Sequence, residues 1–268
     1  MDDDPGFLAL TRHRTTTGQL LADAARRRGM AVRTLPGGRV PPELRGRRDA
    51  HYFGGPRYGA AVAGDLGVAL LAPPDAWLTT LPYEFTGRRI TAATLAEARA
   101  LTRPAFVKPP SDKSFTAAVY PDGGAVPHTA RLAPGTPVQI AEPVHFAAEF
   151  RLFVLDGAVR TGSQYARHGV PRAAPLDGHP HREAVHAFAR RLLDACGGTL
   201  PSAVVVDVGL MRRPDGGEPR WAVVEANMAW FSNAYAADPE RVLDVVLRAA
   251  GPRHRVEPRD LAFTGGTG

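Results

Sequence analysis

The hydrophobic pattern of the first part of the chain predicts a small β-α-β unit. Residues 7–11 and 31–35 are short apolar runs typical of strands, and the segment between them has the periodicity of a helix that ends at Gly29. A crossover of this kind normally places its two strands in parallel. We therefore expect an N-terminal β-α-β region over residues 1–84.

Beyond residue 100 the pattern changes to short apolar runs that follow one another closely. These runs, each typical of a strand, are 105–108, 115–120, 138–142, 148–155 and 158–166. The last two are joined by Asp156-Gly157, a strong hairpin sequence. An antiparallel sheet is expected here. The Pro-, Gly- and His-rich segment 167–181 is long enough to predict a loop that acts as a lid.

The last third of the chain predicts a helix, two strands and a second helix. The first helix covers about 181–195, two apolar runs at 202–210 and 220–228 are joined by a turn sequence, and the second helix starts after Asp238 as N-cap. The polar, Gly-ending segment 252–268 is predicted to be a disordered tail.

The two apolar runs of this last third each carry one acid, Asp207 and Glu225. A hairpin centred on Gly216 places nine steps on either side, so the two acids would lie opposite each other on one face, with Asn227 on the same face. Facing carboxylates in an apolar setting repel unless they share a proton or a cation. Because oxygen donors of this kind suit Mg²⁺, the pattern predicts a magnesium site. A register shift of one residue would instead turn the acids to solvent.

The basic residues are unusual in type. Of 33 lysines and arginines only two are lysine, Lys108 and Lys113, and they flank a four-residue loop. In a tight turn the two ammonium groups would face each other, and a polyanion between them would remove their repulsion. A nucleotide triphosphate is the obvious candidate.

Charge and composition suggest other functions less strongly. The net charge of +6 and the pI near 10.0 are compatible with nucleic-acid binding, but the arginines are scattered and lack interleaved aromatic residues. The chain has one cysteine, no apolar run long enough for a membrane span and no secretory signal at its start, so we expect a cytoplasmic protein without a membrane partner.

Taken in order, these features resemble the ATP-grasp superfamily over residues 85–250: a "VKP" strand, a loop, a hinge strand, an acid seven positions later, then Asp and Glu-x-Asn on neighbouring strands. The resemblance implies that Lys108 contacts the nucleotide phosphates and the adenine region. It implies that the linker strand, with Gln139, Ile140, Ala141 and Glu142, reads adenine, that Glu149 takes the ribose hydroxyls, and that Asp207, Glu225 and Asn227 hold Mg²⁺.

Two departures from the family pattern concern its cations. There is no lysine before Lys108, and the loop after it lacks glycine, so the chain resembles a subclass defined by one arginine and two lysines. In that interpretation Arg88 or Arg89 replaces the upstream lysine, with Arg151 a rival, and Lys113 clamps the phosphates. Arg160 is a further candidate cation for the transition state.

The resemblance implies an α/β (α+β) chain with the ATP-grasp fold, in which two antiparallel-sheet subdomains over residues 85–251 clamp the nucleotide. It implies an ATP- and Mg²⁺-dependent ligase that joins a small-molecule or peptide carboxylate to an amine through an acylphosphate. The alternatives are an ATP-grasp phosphotransferase, a protein that only binds nucleotide, and a basic nucleic-acid-binding protein. The sequence does not indicate an oligomeric state.

Overall fold

The computed structural model describes residues 6–11, 15–110, 114–129, 132–212 and 217–264. The strands in these residues are β1 (Phe7–Thr11), β2 (Ala31–Leu35), β3 (Ala50–Phe53), β4 (Ile90–Thr94), β5 (Ala105–Lys108), β6 (Ala118–Tyr120), β7 (Pro137–Ala141), β8 (His145–Leu155), β9 (Ala158–Arg167), β10 (Val170–Pro175), β11 (Ala203–Arg212) and β12 (Arg220–Asn227). The α-helices are α1 (Thr16–Arg27), α2 (Pro56–Leu66), α3 (Trp77–Thr80), α4 (Tyr83–Thr86), α5 (Leu95–Arg99), α6 (Arg182–Cys196) and α7 (Pro239–Ala249).

The N-terminal strands form a parallel sheet in the order β2-β1-β3, which confirms the predicted β-α-β unit and adds a third strand. Helix α1 starts where its capping residue stops the extended chain. The Thr15 hydroxyl accepts a hydrogen bond from the Gly18 amide at 2.9 Å, one position before the predicted cap. The β3 strand was missed because it lies in a stretch rich in glycine and proline.

A smaller antiparallel sheet follows in the order β4-β7-β5-β6. One face packs on α5 around Leu95, Val107 and Val138, all fully or almost fully buried. Because side chains alternate along a strand, Lys108 and Gln139 project from the opposite face. The β6 strand is shorter than predicted and begins at Ala118.

The larger antiparallel sheet has the order β10-β9-β8-β11-β12. The predicted Asp156-Gly157 hairpin joins β8 to β9, and both turn residues have positive φ, 54° and 74°. The lid prediction for 167–181 is wrong, because Val170–Pro175 forms strand β10 against β9. His168 and Gly169, with φ of 50° and 74°, make a second tight turn of the same kind.

The large sheet is covered on both faces. Helix α6 packs on one face, together with Trp77 and Phe85, and the other face shares a core with the parallel sheet and α7. Trp230 is at the centre of that shared core, fully buried, with its indole N–H donating to the Leu71 carbonyl at 2.8 Å. Among the described residues, no helix combines the length and the apolar character that a membrane crossing requires.

The C-terminal segment departs from the prediction of a disordered tail. Residues Arg253–Arg255 and Pro258–Phe263 form 3-10 helices. Asp260 is only 1% exposed and accepts hydrogen bonds from the amide and the hydroxyl of Ser202, at 2.7 and 2.5 Å. This long-range contact holds the segment on the large sheet, and a local hydrophobic pattern does not reveal it.

Candidate active site

The hairpin β11–β12 places Asp207 directly opposite Glu225, as the residue count predicts. The pairing depends on a β-bulge. On the far side of the site Val208 pairs with Val223, so β12 carries one extra residue, Val224, before Glu225. Without the bulge Val224 would face Asp207, and Glu225 would lie out of register with it.

Arg88 holds this bulge in place. Its guanidinium donates to the carbonyls of Val223 and Thr86 at 2.8 and 3.0 Å, and more weakly to the carbonyl of Val224 at 3.4 Å. Arg88 is only 6% exposed, and burial lowers its pKa to about 10. The predicted phosphate ligand is thus engaged with the backbone behind Glu225.

Asp207 is held by a bidentate contact with Arg151, its partner on β8. The two N–O distances are 2.9 and 2.7 Å, and the Asp207 side chain is 1% exposed. Burial raises the pKa of Asp207, and the charge of Arg151 offsets part of that effect. Asp207 therefore depends on Arg151 for its charge balance.

Glu225 has its own cation from the smaller sheet. The Lys108 ammonium lies 2.6 Å from Oε2 of Glu225, with side chains 14% and 31% exposed. Burial alone would raise the pKa of Glu225, but Lys108 outweighs it and lowers the pKa below its usual value. Asn227 donates to Oε1 of Glu225 at 2.9 Å, so the predicted trio of Asp207, Glu225 and Asn227 does converge.

A third carboxylate, Glu149, stands beside this cluster. Its carboxylate accepts a hydrogen bond from the Tyr165 hydroxyl at 2.8 Å. Burial raises the pKa of Glu149, and Asp207 and Glu225 contribute to the same direction. The Tyr165 ring and the ring of Tyr235 lie 5.7 and 5.4 Å from the guanidinium carbon of Arg151.

The two tyrosines were not predicted as site residues. Their rings stack on each other at 5.4 Å, and Tyr235 has a left-handed backbone with φ of 52°. A non-glycine residue in this region is uncommon and often marks a functional site. The polar run that follows Glu-Ala-Asn in the sequence is the signal that could have drawn attention to Tyr235.

The model of an ATP-grasp domain family, the second family of its clade, matches residues 85–245. The chain belongs to this ATP-grasp family. No curated protein matches the chain. Among solved structures, the ATP-grasp RimK domain protein from Sphaerobacter thermophilus DSM 20745 is 17% identical with a TM-score of 0.54, over 91% of this chain and 98% of the other.

Two further ATP-grasp structures resemble the chain. D-cycloserine synthetase DcsG is 17% identical with a TM-score of 0.54, over 90% of this chain and 98% of that protein. The ATP-grasp ligase PsnB, complexed with precursor peptide PsnA2 and AMPPNP, is 13% identical with a TM-score of 0.52, over 93% and 98%. At these identities the likeness concerns the fold, which is the ATP-grasp fold predicted from the sequence.

In the ATP-grasp frame the linker strand is β7, which lies between β4 and β5. Its residues Gln139, Ile140 and Ala141 pair with neighbours on both edges, so their backbone groups are committed to the sheet. This narrows the prediction that their backbone reads adenine. The chain leaves the ladder at Glu142, whose carboxylate accepts from the Arg89 amide at 2.9 Å.

Two predicted cations of the ATP-grasp site are not brought to the cluster. Arg160 forms an ion pair with Asp244 of α7 at 3.5 Å, with about half of its side chain exposed, and the Arg89 side chain is exposed. Lys113 lies outside the described residues. The paired part of the β5–β6 hairpin ends at Val107 and Ala118, so a position of Lys113 opposite Lys108 stays a prediction.

A cleft between the two antiparallel sheets opens beside the cluster. Its cavity measures about 360 Å³, and Lys108, Gln139, Glu225 and Asn227 form its polar end. Its apolar end includes Trp77, Leu78, Met228 and Phe263. A larger cavity of about 680 Å³ lies at the carboxyl ends of β1, β2 and β3, where open α/β sheets bind ligands.

The cluster offers the donor types that Mg²⁺ prefers, two carboxylates and an amide. Both carboxylates are paired with cations in this arrangement, and the described residues contain no group of three or more His, Cys, Asp or Glu placed to hold a metal. Asn227 presents its N–H to Glu225. A metal fits at Glu225 once Lys108 moves away and the Asn227 amide turns, whereas Asp207 stays saturated by Arg151.

Proposed function

We propose that the chain is an ATP- and Mg²⁺-dependent ligase that joins a carboxylate to an amine through an acylphosphate. The observation that carries this proposal is the charge-balanced cluster of Lys108, Glu225, Asp207 and Arg151 at the cleft of an ATP-grasp fold. Chemistry on phosphate oxygens needs cations and positioning rather than a nucleophilic side chain, and this cluster supplies both.

In the proposed reaction a substrate carboxylate oxygen attacks the γ-phosphorus of ATP, and ADP leaves. The amine then attacks the acyl carbon, loses a proton, and phosphate leaves as the C–O bond breaks. Lys108 would neutralise phosphate oxygens, and Arg151, held rigid by Asp207, would face the charge that develops on the transferring group. Bound at Glu225 and Asn227, Mg²⁺ would supply further positive charge to the triphosphate.

The remaining contacts to the nucleotide are proposed from the same frame. Adenine would meet the backbone where β7 ends at Glu142, and Glu149 would accept from the ribose hydroxyls in place of Tyr165. Lys113 would clamp the phosphates from the loop after Lys108. We propose a structural role for Arg88, since its guanidinium is already bound to backbone carbonyls.

The substrates would be a small-molecule or peptide carboxylate and an amine. Structural neighbours include a protein named D-cycloserine synthetase and a ligase complexed with a precursor peptide, which supports both classes. The apolar end of the 360 Å³ cavity adjoins Lys108 and Glu225, so an acceptor there would lie next to the transferred phosphate. We propose a cytoplasmic location, where ATP is supplied.

The test is a screen for ADP release with pools of amino acids and peptides, with and without hydroxylamine. A ligase releases ADP only when the carboxylate substrate is present, and hydroxylamine converts its acylphosphate to a hydroxamate. Phosphate found on a substrate that has no carboxylate would instead indicate a phosphotransferase. ATP binding with no substrate-dependent ADP release would contradict the ligase proposal.

Matched variants make the screen specific. Lys108→Met and Glu225→Gln should each remove most ADP release, because each breaks the only described ion pair between the two sheets at the cleft. Arg160→Met is the control, since Arg160 is an exposed cation of the large sheet paired with Asp244 outside the cluster. Equal activity of all three variants would show that the cluster is not the site.

A further inference from the structure

Gln139 carries a buried hydrogen-bond acceptor that lacks a donor. Gln139 is 4% exposed, and its Nε2 donates to the backbone carbonyl of Asp75 at 2.8 Å. That carbonyl can only accept, so the orientation of the amide is fixed. Its Oε1 is buried and has no hydrogen-bond partner among the described residues. Burying an acceptor without a donor is unfavourable, which calls for a donor that arrives in another state of the protein.

The side chain best placed to provide that donor is Lys108. Lys108 and Gln139 are direct partners on β5 and β7, and both line the 360 Å³ cavity. Cross-strand partners have Cβ atoms about 5 Å apart and share a face of the sheet. The lysine ammonium has three donors on a flexible stem, so it can change acceptor without a change in the backbone.

Binding of a metal at Glu225 would force such a change. Lys108 contacts the same carboxylate that the metal needs, at 2.6 Å, and two positive charges on one carboxylate repel. On the basis of the proposed function, we propose that Gln139 is a positioning residue, which accepts the Lys108 ammonium through Oε1 when Glu225 takes up Mg²⁺. The displaced ammonium then stays in the cleft, where phosphate oxygens can reach it.

A double-mutant cycle separates this role from simple packing against Asp75. Wild type, Gln139→Met, Lys108→Met and the double variant are titrated by calorimetry with Mg²⁺ and AMPPNP. Gln139→Met should weaken binding about tenfold in the wild-type background, the size expected for a lost hydrogen bond to a charged group. In the Lys108→Met background it should change affinity less than about twofold, because the ammonium that needs Gln139 is gone.

The scarcity of lysine provides a direct second readout. With only two lysines in the chain, ¹³C-lysine labelling gives two side-chain signals, and Lys113→Arg assigns them. Addition of Mg²⁺ and AMPPNP should shift the Lys108 Cε signal in wild type to a position that Gln139→Met does not reach. The melting temperature of Gln139→Met without nucleotide checks that the variant is folded.

Each outcome is decisive. Equal losses in both backgrounds, or the same Lys108 signal in wild type and Gln139→Met with ligand bound, would overturn the role of Gln139 and leave the proposed function intact. A wild-type protein that binds no Mg²⁺ and AMPPNP at all would overturn the proposed function and, with it, this inference.

Discussion

Replacement of Arg88 by methionine tests whether this arginine supports the site from behind or binds the nucleotide. Arg88 donates to three carbonyls, those of Thr86, Val223 and Val224, and the last two belong to the bulge before Glu225. Methionine has a similar length and can fill the space, but it cannot donate. The three carbonyls would be left without this partner in a buried place.

The expected cost follows from the structure. Hydrogen bonds from a charged donor contribute about 1.5–3 kcal/mol each, which gives about 5–9 kcal/mol for three. Burial opposes this, since lowering the pKa of Arg88 from 12.5 to about 10 corresponds to about 3 kcal/mol against the charged form. We therefore expect Arg88→Met to lower the free energy of unfolding by about 3 kcal/mol.

Urea denaturation of the protein without nucleotide measures this cost, with Arg89→Met as the matched control. The Arg89 side chain is exposed, so its variant should stay within about 0.5 kcal/mol of wild type. If Arg88→Met unfolds at the same urea concentration as wild type but loses nucleotide affinity, Arg88 is a phosphate ligand and the structural role is refuted.

Three further predictions concern the C-terminal segment and Lys108. Asp260→Ala removes the acceptor of two buried hydrogen bonds and should lower the free energy of unfolding by about 3 kcal/mol, with faster proteolysis after residue 252; unchanged cleavage would contradict this. In wild type Lys108 lowers the pKa of Glu225, so the stability from this pair is present above the unfolded value and is lost only as the solution is acidified through the folded pKa. In Lys108→Met burial acts alone and raises that pKa, so stability should fall as pH rises from 5 to 8, and urea midpoints that stay flat over this range would exclude the coupling. Lys108→Arg should keep the fold but weaken Mg²⁺ and AMPPNP binding in calorimetry, and full affinity would show that any cation serves.

Much of the fold follows from local patterns. Both hairpin turns of the large sheet have a residue with positive φ followed by glycine, and the Asp156-Gly157 turn was identifiable from its residues alone. The His168-Gly169 turn has the same geometry, but histidine is a weaker turn signal and two prolines follow it. The prediction there became a lid loop, because proline is rarely found within a strand and is tolerated at an edge such as β10.

The site shows where pattern arguments succeed and where they stop. The count that paired Asp207 with Glu225 assumed a regular hairpin, and the pairing holds because the bulge at Val224 shifts the register just before Glu225. Nothing in the sequence marks that bulge. Its anchor, Arg88, was selected as a cation near the phosphates, since a sequence does not show whether a guanidinium faces a ligand or the backbone behind it.

The contrast between the two ion pairs of the cluster explains why one cation is arginine and the other lysine. Arg151 holds both oxygens of Asp207 with a planar fork, in a pair that is almost fully buried and suited to stay unchanged. Lys108 touches one oxygen of Glu225 as a point charge, in a more exposed pair. If Glu225 is the carboxylate that must become available to a metal, its cation has to be one that lets go. In a chain with 31 arginines for two lysines, the requirement for a releasable ammonium is a physical reason for lysine to persist at this position.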